Sequence, residues 1–171
     1  HITGGYSDDI LHGMHGGDYI LAGAGNDIIR GGHGHDYMNG MEGADWLWGG
    51  TGWNIMTGGS DNVKDDIYVP ADSVRNSNGN PGGVNADLIT GVDTTDRLYI
   101  YGVDDSTLTY VDNVTHPMAG QFVSNGPEIL FPNYGGSYTG VGIYSNGVLE
   151  AIVAVDGATS GVVDQFTSGV L

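Results

Sequence analysis

A period of nine governs residues 4–57. Cut from Gly4, that stretch reads GGYSDDILH, GMHGGDYIL, AGAGNDIIR, GGHGHDYMN, GMEGADWLW and GGTGWNIMT. The sixth place holds Asp9, Asp18, Asp27, Asp36, Asp45 and then Asn54. The eighth holds Leu11, Ile20, Ile29, Met38, Leu47 and Met56, and the first four places are mostly glycine. A sustained repeat limits the possible folds sharply. Each unit is too small to bury an apolar face alone and must stack on its neighbours.

The physics of one unit follows from its composition. About three residues around the eighth place have strand character. The other six are turn formers, and glycine permits the positive φ that tight turns need. Short strand and tight turn therefore alternate, and two nines make one full coil. Strands of successive coils stack in parallel, about 4.7–4.9 Å apart. The eighth-place residues point inward as a thin apolar core. The acids stack along the two edges in the rows Asp9, Asp27, Asp45 and Asp18, Asp36, Asn54.

Stacked carboxylates repel, and no lysine or arginine recurs in register to neutralise them. The whole chain carries 4 basic and 21 acidic residues, a formal charge of −17. A cation is required. Calcium suits the pattern, because it takes about 6–8 oxygen ligands in flexible geometry, carboxylates and backbone carbonyls together. Magnesium demands a tighter octahedron, and zinc would want His or Cys in the slot. The same charge argues against nucleic acid and anionic membranes as partners, since both require a basic face.

The nonapeptide resembles the RTX (hemolysin-type) calcium-binding repeat, GGxGxDxUx. That resemblance implies an all-β fold, a right-handed parallel β-roll over residues 1–69 with a C-terminal β-rich cap over 70–171. It also implies ions held between turns one coil apart, about four or more in all. Asp9 would pair with Asp27, Asp27 with Asp45, Asp18 with Asp36, and Asp36 with Asn54. Carbonyl donors are expected from Gly23, Gly25, Gly32, Gly34, Gly43, Gly50 and Gly52. Ser7, Met14 and Met41 depart from the glycine pattern. Asn54 keeps an oxygen and loses the charge, so its site is expected to be the weakest.

The period breaks at residues 58–70. Asp66-Ile67-Tyr68-Val69 recovers the acid–apolar pattern, and Asp66 is taken as a further ligand. DIYVP resembles the strand that often ends such rolls. Residues 71–86, with SNGNPGG, read as a polar loop. Beyond them, ADLITGVDTTDRLYIYG alternates apolar residues at Leu98 and Ile100 and resembles the cap of serralysin-type C-terminal domains. Further strands are expected at Leu108–Val111, Glu128–Phe131, Tyr138–Tyr144 and Leu149–Val155, with Asn146-Gly147 as a hairpin turn. A small helix within 157–168 is an option. The tail GATSGVVDQFTSGVL resembles the ends of exported RTX proteins. His1-Ile2-Thr3 fits places seven to nine of a preceding unit, so a longer parent chain with an upstream domain is expected.

Catalytic signatures are not visible: there is no HExxH, no GxSxG and no phosphate-binding glycine loop before a helix. The chain is expected not to be an enzyme itself. His12, His15, His33 and His35 occupy variable places and read as surface residues, with a transition-metal site as the minor alternative. Asp93, Asp96, Asp104 and Asp105 read as turn-capping carboxylates, with a cap calcium site as their alternative. Tyr19, Tyr37 and Ile55 share the outward seventh place, with Trp46, Trp48 and Trp53 nearby. They are expected to be covered by another part of the protein.

There is no cysteine and so no disulfide. No segment reaches the roughly 18 apolar residues of a membrane span. No leader pattern is visible, which suits the resemblance: RTX proteins leave the cell unfolded through type I secretion machinery that reads the C-terminus. The resulting expectation is a calcium-binding module of a larger secreted or cell-surface protein, folded by calcium after export. The alternative is a calcium-dependent surface-attachment or polysaccharide-binding module.

Overall fold

The structure is a computed structural model that describes residues 1–59, 61–70, 87–91, 95–101, 108–115, 139–145 and 148–153. In chain order the strands are β1 (Ile2–Gly5), β2 (Ile10–His15), β3 (Tyr19–Ala24), β4 (Ile28–His33), β5 (Tyr37–Glu42), β6 (Trp46–Thr51) and β7 (Ile55–Thr57). They continue with β8 (Asp66–Pro70), β9 (Asp87–Thr90), β10 (Arg97–Tyr101), β11 (Leu108–Thr115), β12 (Thr139–Ser145) and β13 (Val148–Val153). The described residues contain no helix.

Odd and even strands separate into two sheets. One runs β1-β3-β5-β7-β9 and the other β10-β8-β6-β4-β2, with neighbours parallel. The register follows the period of nine taken twice: Ile20 lies beside Met38 and Ile29 beside Leu47. Each coil thus contributes one strand to each sheet, and the chain winds as a parallel β-roll. The tight turns at the edges are what allow strands this short to alternate between sheets.

The inward positions carry the core. Ile20, Ile29, Met38, Leu47 and Met56 are fully buried; Ile67, Ile89 and Leu98 extend their file, and Val69 and Ile100 lie paired beside it. Leu11 and Ile2, at the open end, are only partly buried. Each fully buried residue contributes about 1.5–3 kcal/mol. A file of single residues is a thin core for so much ordered glycine-rich turn, whose backbone entropy must be overcome residue by residue.

The parallel ladder does not stop at residue 69. β9 pairs with β7, and β10 pairs with β8, so two strands from the non-repetitive sequence continue the roll. Beyond them, β13, β12 and β11 form an antiparallel meander joined to β9 through a parallel β13–β9 pair. Ile143 of this meander belongs to the same core. β12 and β13 pair with Ser145 opposite Val148, which is the register expected around Asn146-Gly147. The loop expected at 71–86, the strand at Glu128–Phe131, the helix within 157–168 and the C-terminal tail lie outside the described residues.

Candidate functional site: two ladders of acids

The sixth-place acids are bonded into continuous ladders. On one edge the N–H of Asp9 donates to Asp27 Oδ1 at 2.7 Å, Asp27 to Asp45 at 2.7 Å, and Asp45 to Asp65 at 2.8 Å. Asp65 then donates to Asp96 Oδ1 at 2.9 Å. On the other edge Asp18 donates to Asp36 Oδ1 at 2.8 Å, Asp36 to Asn54 Oδ1 at 3.0 Å, and Asn54 to Asp87 Oδ1 at 2.8 Å. Each acid's own carbonyl accepts from the next coil, as Asp27 O does from Trp46 N–H at 2.8 Å. One side-chain oxygen per rung, from a carboxylate or from the Asn54 amide, is therefore committed to holding two coils together.

In five of these acids the other oxygen is not committed. Oδ2 of Asp18, Asp27, Asp36, Asp45 and Asp65 is buried and has no hydrogen-bond partner. A buried carboxylate oxygen left this way costs several times the worth of an ordinary hydrogen bond, so each one calls for an explanation. The local electrostatics point the same way. Burial, with Asp18 nearby, pushes the Asp36 carboxyl up to about 7. Burial, with Asp27 and Asp61 nearby, raises Asp45 to about 7. Burial raises Asp65 to about 8, helped by Asp96, Asp45 and Asp61. Asp27 is raised for the same leading reason. The ladder hydrogen bonds pull in the opposite direction and do not win.

The glycines set the approach distance. At the first place, a Cβ on Gly13 would stand 2.7 Å from Asp18 Oδ2 and 2.5 Å from the Gly31 carbonyl oxygen of the next coil. The same pair of oxygens converges on Gly31 (Asp36 and Gly49) and on Gly40 (Asp45 and Gly58). Gly23, Gly25, Gly32, Gly34, Gly43, Gly50 and Gly52, at places two and four, all have positive φ. At Gly43, where φ is 120°, a Cβ would run into the Gly25 carbonyl of the preceding coil. Glycine is required there both for the backbone conformation and for the close stacking of carbonyls.

The units that carry these ladders match a known repeat family. Residues 1–29, 13–43 and 30–63 match the RTX calcium-binding nonapeptide repeat, in four copies. Residues 1–63 are an RTX calcium-binding repeat array. No curated protein and no solved structure matches the chain.

The donor set fits calcium. Buried, partnerless carboxylate oxygens recur at the RTX rungs of Asp18, Asp27, Asp36 and Asp45 beside the turn carbonyls, and calcium accepts many oxygens of mixed type. Among the described residues no three His, Asp or Glu side chains converge on one point. An ion between RTX coils would be held by one or two carboxylates together with main-chain carbonyls. Bound calcium would supply the positive charge that these acids lack. The chain's part is to hold the carboxylates in line and keep their second oxygens free.

The expected ligands Asp9, Asp18, Asp27, Asp36, Asp45 and Asn54 all take ladder positions. Asp66 does not. It falls opposite Trp46, at the seventh place, and its carboxylate pairs with Lys64. Asp65 occupies the sixth place instead, because the insertion after Gly59 stretches the Asp45–Asp65 step to 20 residues. Asp87 and Asp96 are the other ladder members that the period of nine does not reveal. They carry the same acid–any–apolar triplet, Asp87-Leu88-Ile89 and Asp96-Arg97-Leu98, and that was their available signal. Asp96 is thus part of the row and not simply a turn cap. Asp93, Asp104 and Asp105 lie outside the described residues.

Among the described residues the histidines form no common site. His15 stacks on His33, His33 Nδ1 bonds with Thr51 Oγ1 at 2.8 Å, and His35 Nδ1 accepts from Trp53 N–H at 3.2 Å. The seventh-place side chains stack as well, Tyr19 on Tyr37 at 4.7 Å. Tyr37, Ile55 and Trp53 are buried, and Trp46 remains exposed. On the other sheet Trp48, Tyr68 and Tyr99 form a continuous stack, with Arg30 over Trp48. No helix among the described residues is long and apolar enough to cross a membrane.

Proposed function

We propose that the chain is a calcium-operated folding module of a larger secreted protein. The observation that carries this reading is the file of buried Oδ2 atoms without partners on Asp18, Asp27, Asp36, Asp45 and Asp65. Without a cation the roll must bury that repulsion behind a core one residue wide. A site that exists only in the folded state converts ion-binding free energy into folding free energy. Calcium is scarce in cytosol and plentiful outside cells. The chain would therefore stay unfolded during type I export and fold on arrival, where it would serve an attached upstream domain. The role is ion-coupled folding and not catalysis. The antiparallel strands β11–β13 support it by extending the β9 edge that the roll would otherwise leave open.

A second reading draws on a different face. Trp46 is exposed and packs edge-on against Trp48, the start of the Trp48–Tyr68–Tyr99 stack. Flat stacked aromatics suit calcium-dependent polysaccharide binding or surface attachment. A glycan panel probed with the calcium-loaded chain distinguishes the two readings, and no retention on any glycan is the result expected of the folding module.

The direct test is far-ultraviolet circular dichroism of the full chain during a calcium titration. The chain is expected to lack β signal in excess chelator and to gain it cooperatively with calcium. A complete β signal in chelator would overturn the proposal.

A further inference from the structure

One dipeptide of the repeat array carries a chemistry that ion binding does not use. Asn39-Gly40 lies in the middle of β5 and is the one Asn-Gly pair within residues 1–70. Glycine has no Cβ to hinder its own nitrogen or to restrict the turn of the chain before it. Asparagine before glycine is therefore the setting in which the next backbone nitrogen most readily attacks the side-chain amide. Gly40 N would bond to Asn39 Cγ, and the amide nitrogen would leave as ammonia with the Gly40 proton. Water then opens the resulting succinimide at either carbonyl. One product has Asp at position 39. The other is isoaspartate, whose main chain runs through Cβ and Cγ and is longer by one methylene.

The roll withholds the geometry for this attack. Asn39 is paired on both sides, with Leu21 of β3 and with Thr57 of β7. Just beyond it, Met41 N–H donates to the Gly58 carbonyl at 2.9 Å. In a strand the side chain stands out from the sheet while the backbone N–H lies in its plane. Gly40 N can turn toward Asn39 Cγ only if β5 leaves both neighbours.

The site is also one where the roll has no slack. A Cβ on Gly40 would collide with Asp45 Oδ2 and stand 2.7 Å from the Gly58 carbonyl oxygen. An extra methylene just ahead of Gly40 displaces that contact, the Met41–Gly58 hydrogen bond and the stacking of Gly43 on the Gly25 carbonyl. The isoaspartyl linkage further turns the Asn39 carbonyl, a ladder acceptor, into a free carboxylate between two strands.

We propose that Asn39-Gly40 is a covalent modification site, open in the unfolded chain and closed in the roll, whose isoaspartyl product is barred from refolding. Its control by calcium rests on the calcium-folding reading above. A chain held unfolded then ages irreversibly out of the competent pool, and folding stops the clock.

The test incubates the full chain at mildly alkaline pH in excess calcium, in excess chelator, and in chelator with urea. Peptide mapping follows Asn, Asp and isoaspartate at position 39. Conversion is expected at similar rates in chelator and in urea, and at least about tenfold more slowly in calcium, where only locally opened chain reacts. Equal conversion in calcium and in urea, with a complete β signal in calcium, would overturn the proposal and leave the calcium reading standing. Conversion as slow in chelator as in calcium, with a complete β signal in both, would overturn the calcium reading alone, because the urea arm still tests protection by the fold. The aged chelator sample is then returned to calcium, and folded and unfolded chains are separated by size. Isoaspartate at position 39 should be depleted at least about tenfold in the folded fraction. Equal amounts in the two fractions would overturn the claim that the product is barred from the roll.

Discussion

The two edges of the roll differ at one rung, and the difference separates what holds the coils together from what calls for calcium. On one edge Asp45 Oδ1 accepts from Asp27 N–H, and its Oδ2 stays buried and partnerless. On the other, Asn54 Oδ1 accepts from Asp36 N–H in the same way. Its second atom is an amide nitrogen, which donates to Asp87 Oδ1 at 3.3 Å. The Asn54 rung satisfies itself. The coil-to-coil ladder therefore needs only an acceptor at the sixth place, which amide and carboxylate both provide. The carboxylate adds a surplus negative oxygen, and that surplus is the part directed at an ion.

The largest effects are expected at the shared acids. Asp27→Ala and Asp36→Ala each remove a ladder acceptor and a charge that serves the rungs on both sides. Each is expected to raise the calcium midpoint of folding by at least about a hundredfold, roughly 2.7 kcal/mol. Asn54→Ala should cost clearly less, because it removes no charge. Equal midpoints for all three in a calcium titration would mean that charge at the sixth place is not what matters.

The next effect is steric. Gly43→Ala keeps every acid and places a Cβ on the Gly25 carbonyl at a positive φ. It should destabilise the calcium-saturated protein by about 1–3 kcal/mol in thermal melts. A melting temperature equal to that of the unaltered chain would show that the turns do not need this close stacking.

Proton linkage comes third. Burial raises Asp36 and Asp45 to about 7 and Asp65 to about 8, above the ordinary 3.8. The folded, metal-free chain therefore holds these protons more tightly than the unfolded chain. The stability they contribute is complete below the ordinary carboxylate pKa and is lost as pH rises through 7 to 8. In chelator the residual fold should be greatest in mild acid and least above pH 8. Calcium should displace protons near neutrality, with affinity rising across that range. Calorimetry in buffers of different ionisation enthalpy would measure the release, and no buffer dependence would count against the buried acids as ligands.

Smaller effects sharpen the same contrast. Asn54→Asp should add an ion to the weaker edge, readable as one more calcium by native mass spectrometry, and an unchanged count would show that the second carboxylate oxygen is not what recruits an ion. Met41 holds a φ of 81° without being glycine. Met41→Gly should stabilise the calcium-bound protein by less than about 1 kcal/mol, since relief of the left-handed strain is largely offset by glycine's extra freedom in the unfolded chain. Chemical denaturation in calcium would detect a loss if the side chain matters more than the backbone.

Where the period of nine is intact, the sequence was enough to place strands, inward residues and acids. Ile20, Ile29, Met38, Leu47 and Met56 could be assigned inward because one apolar residue per unit leaves no competing register. The legibility ends with the period. The step from Asp45 to Asp65 spans 20 residues, from Asn54 to Asp87 33, and from Asp65 to Asp96 31. Two adjacent acids at the first of these steps made Asp66 as plausible as Asp65. Only pairing of Ile67 beside Leu47 decides between them. The fate of the outward aromatics was not legible either. Tyr37, stacked on Tyr19, and Trp53, against His35, are buried, while Trp46, two residues from Trp48, stays exposed.

The central claim is that the acid ladders form with calcium and not before it. Hydrogen exchange at the rung amides tests this most directly, because the N–H groups of Asp9, Asp18, Asp27, Asp36 and Asp45 each donate to the carboxylate or amide oxygen of the next rung. In excess chelator these amides should exchange freely, and with calcium they should become protected together over one narrow range of concentration. Protection of the same amides in chelator, at the level seen with calcium, would contradict the account.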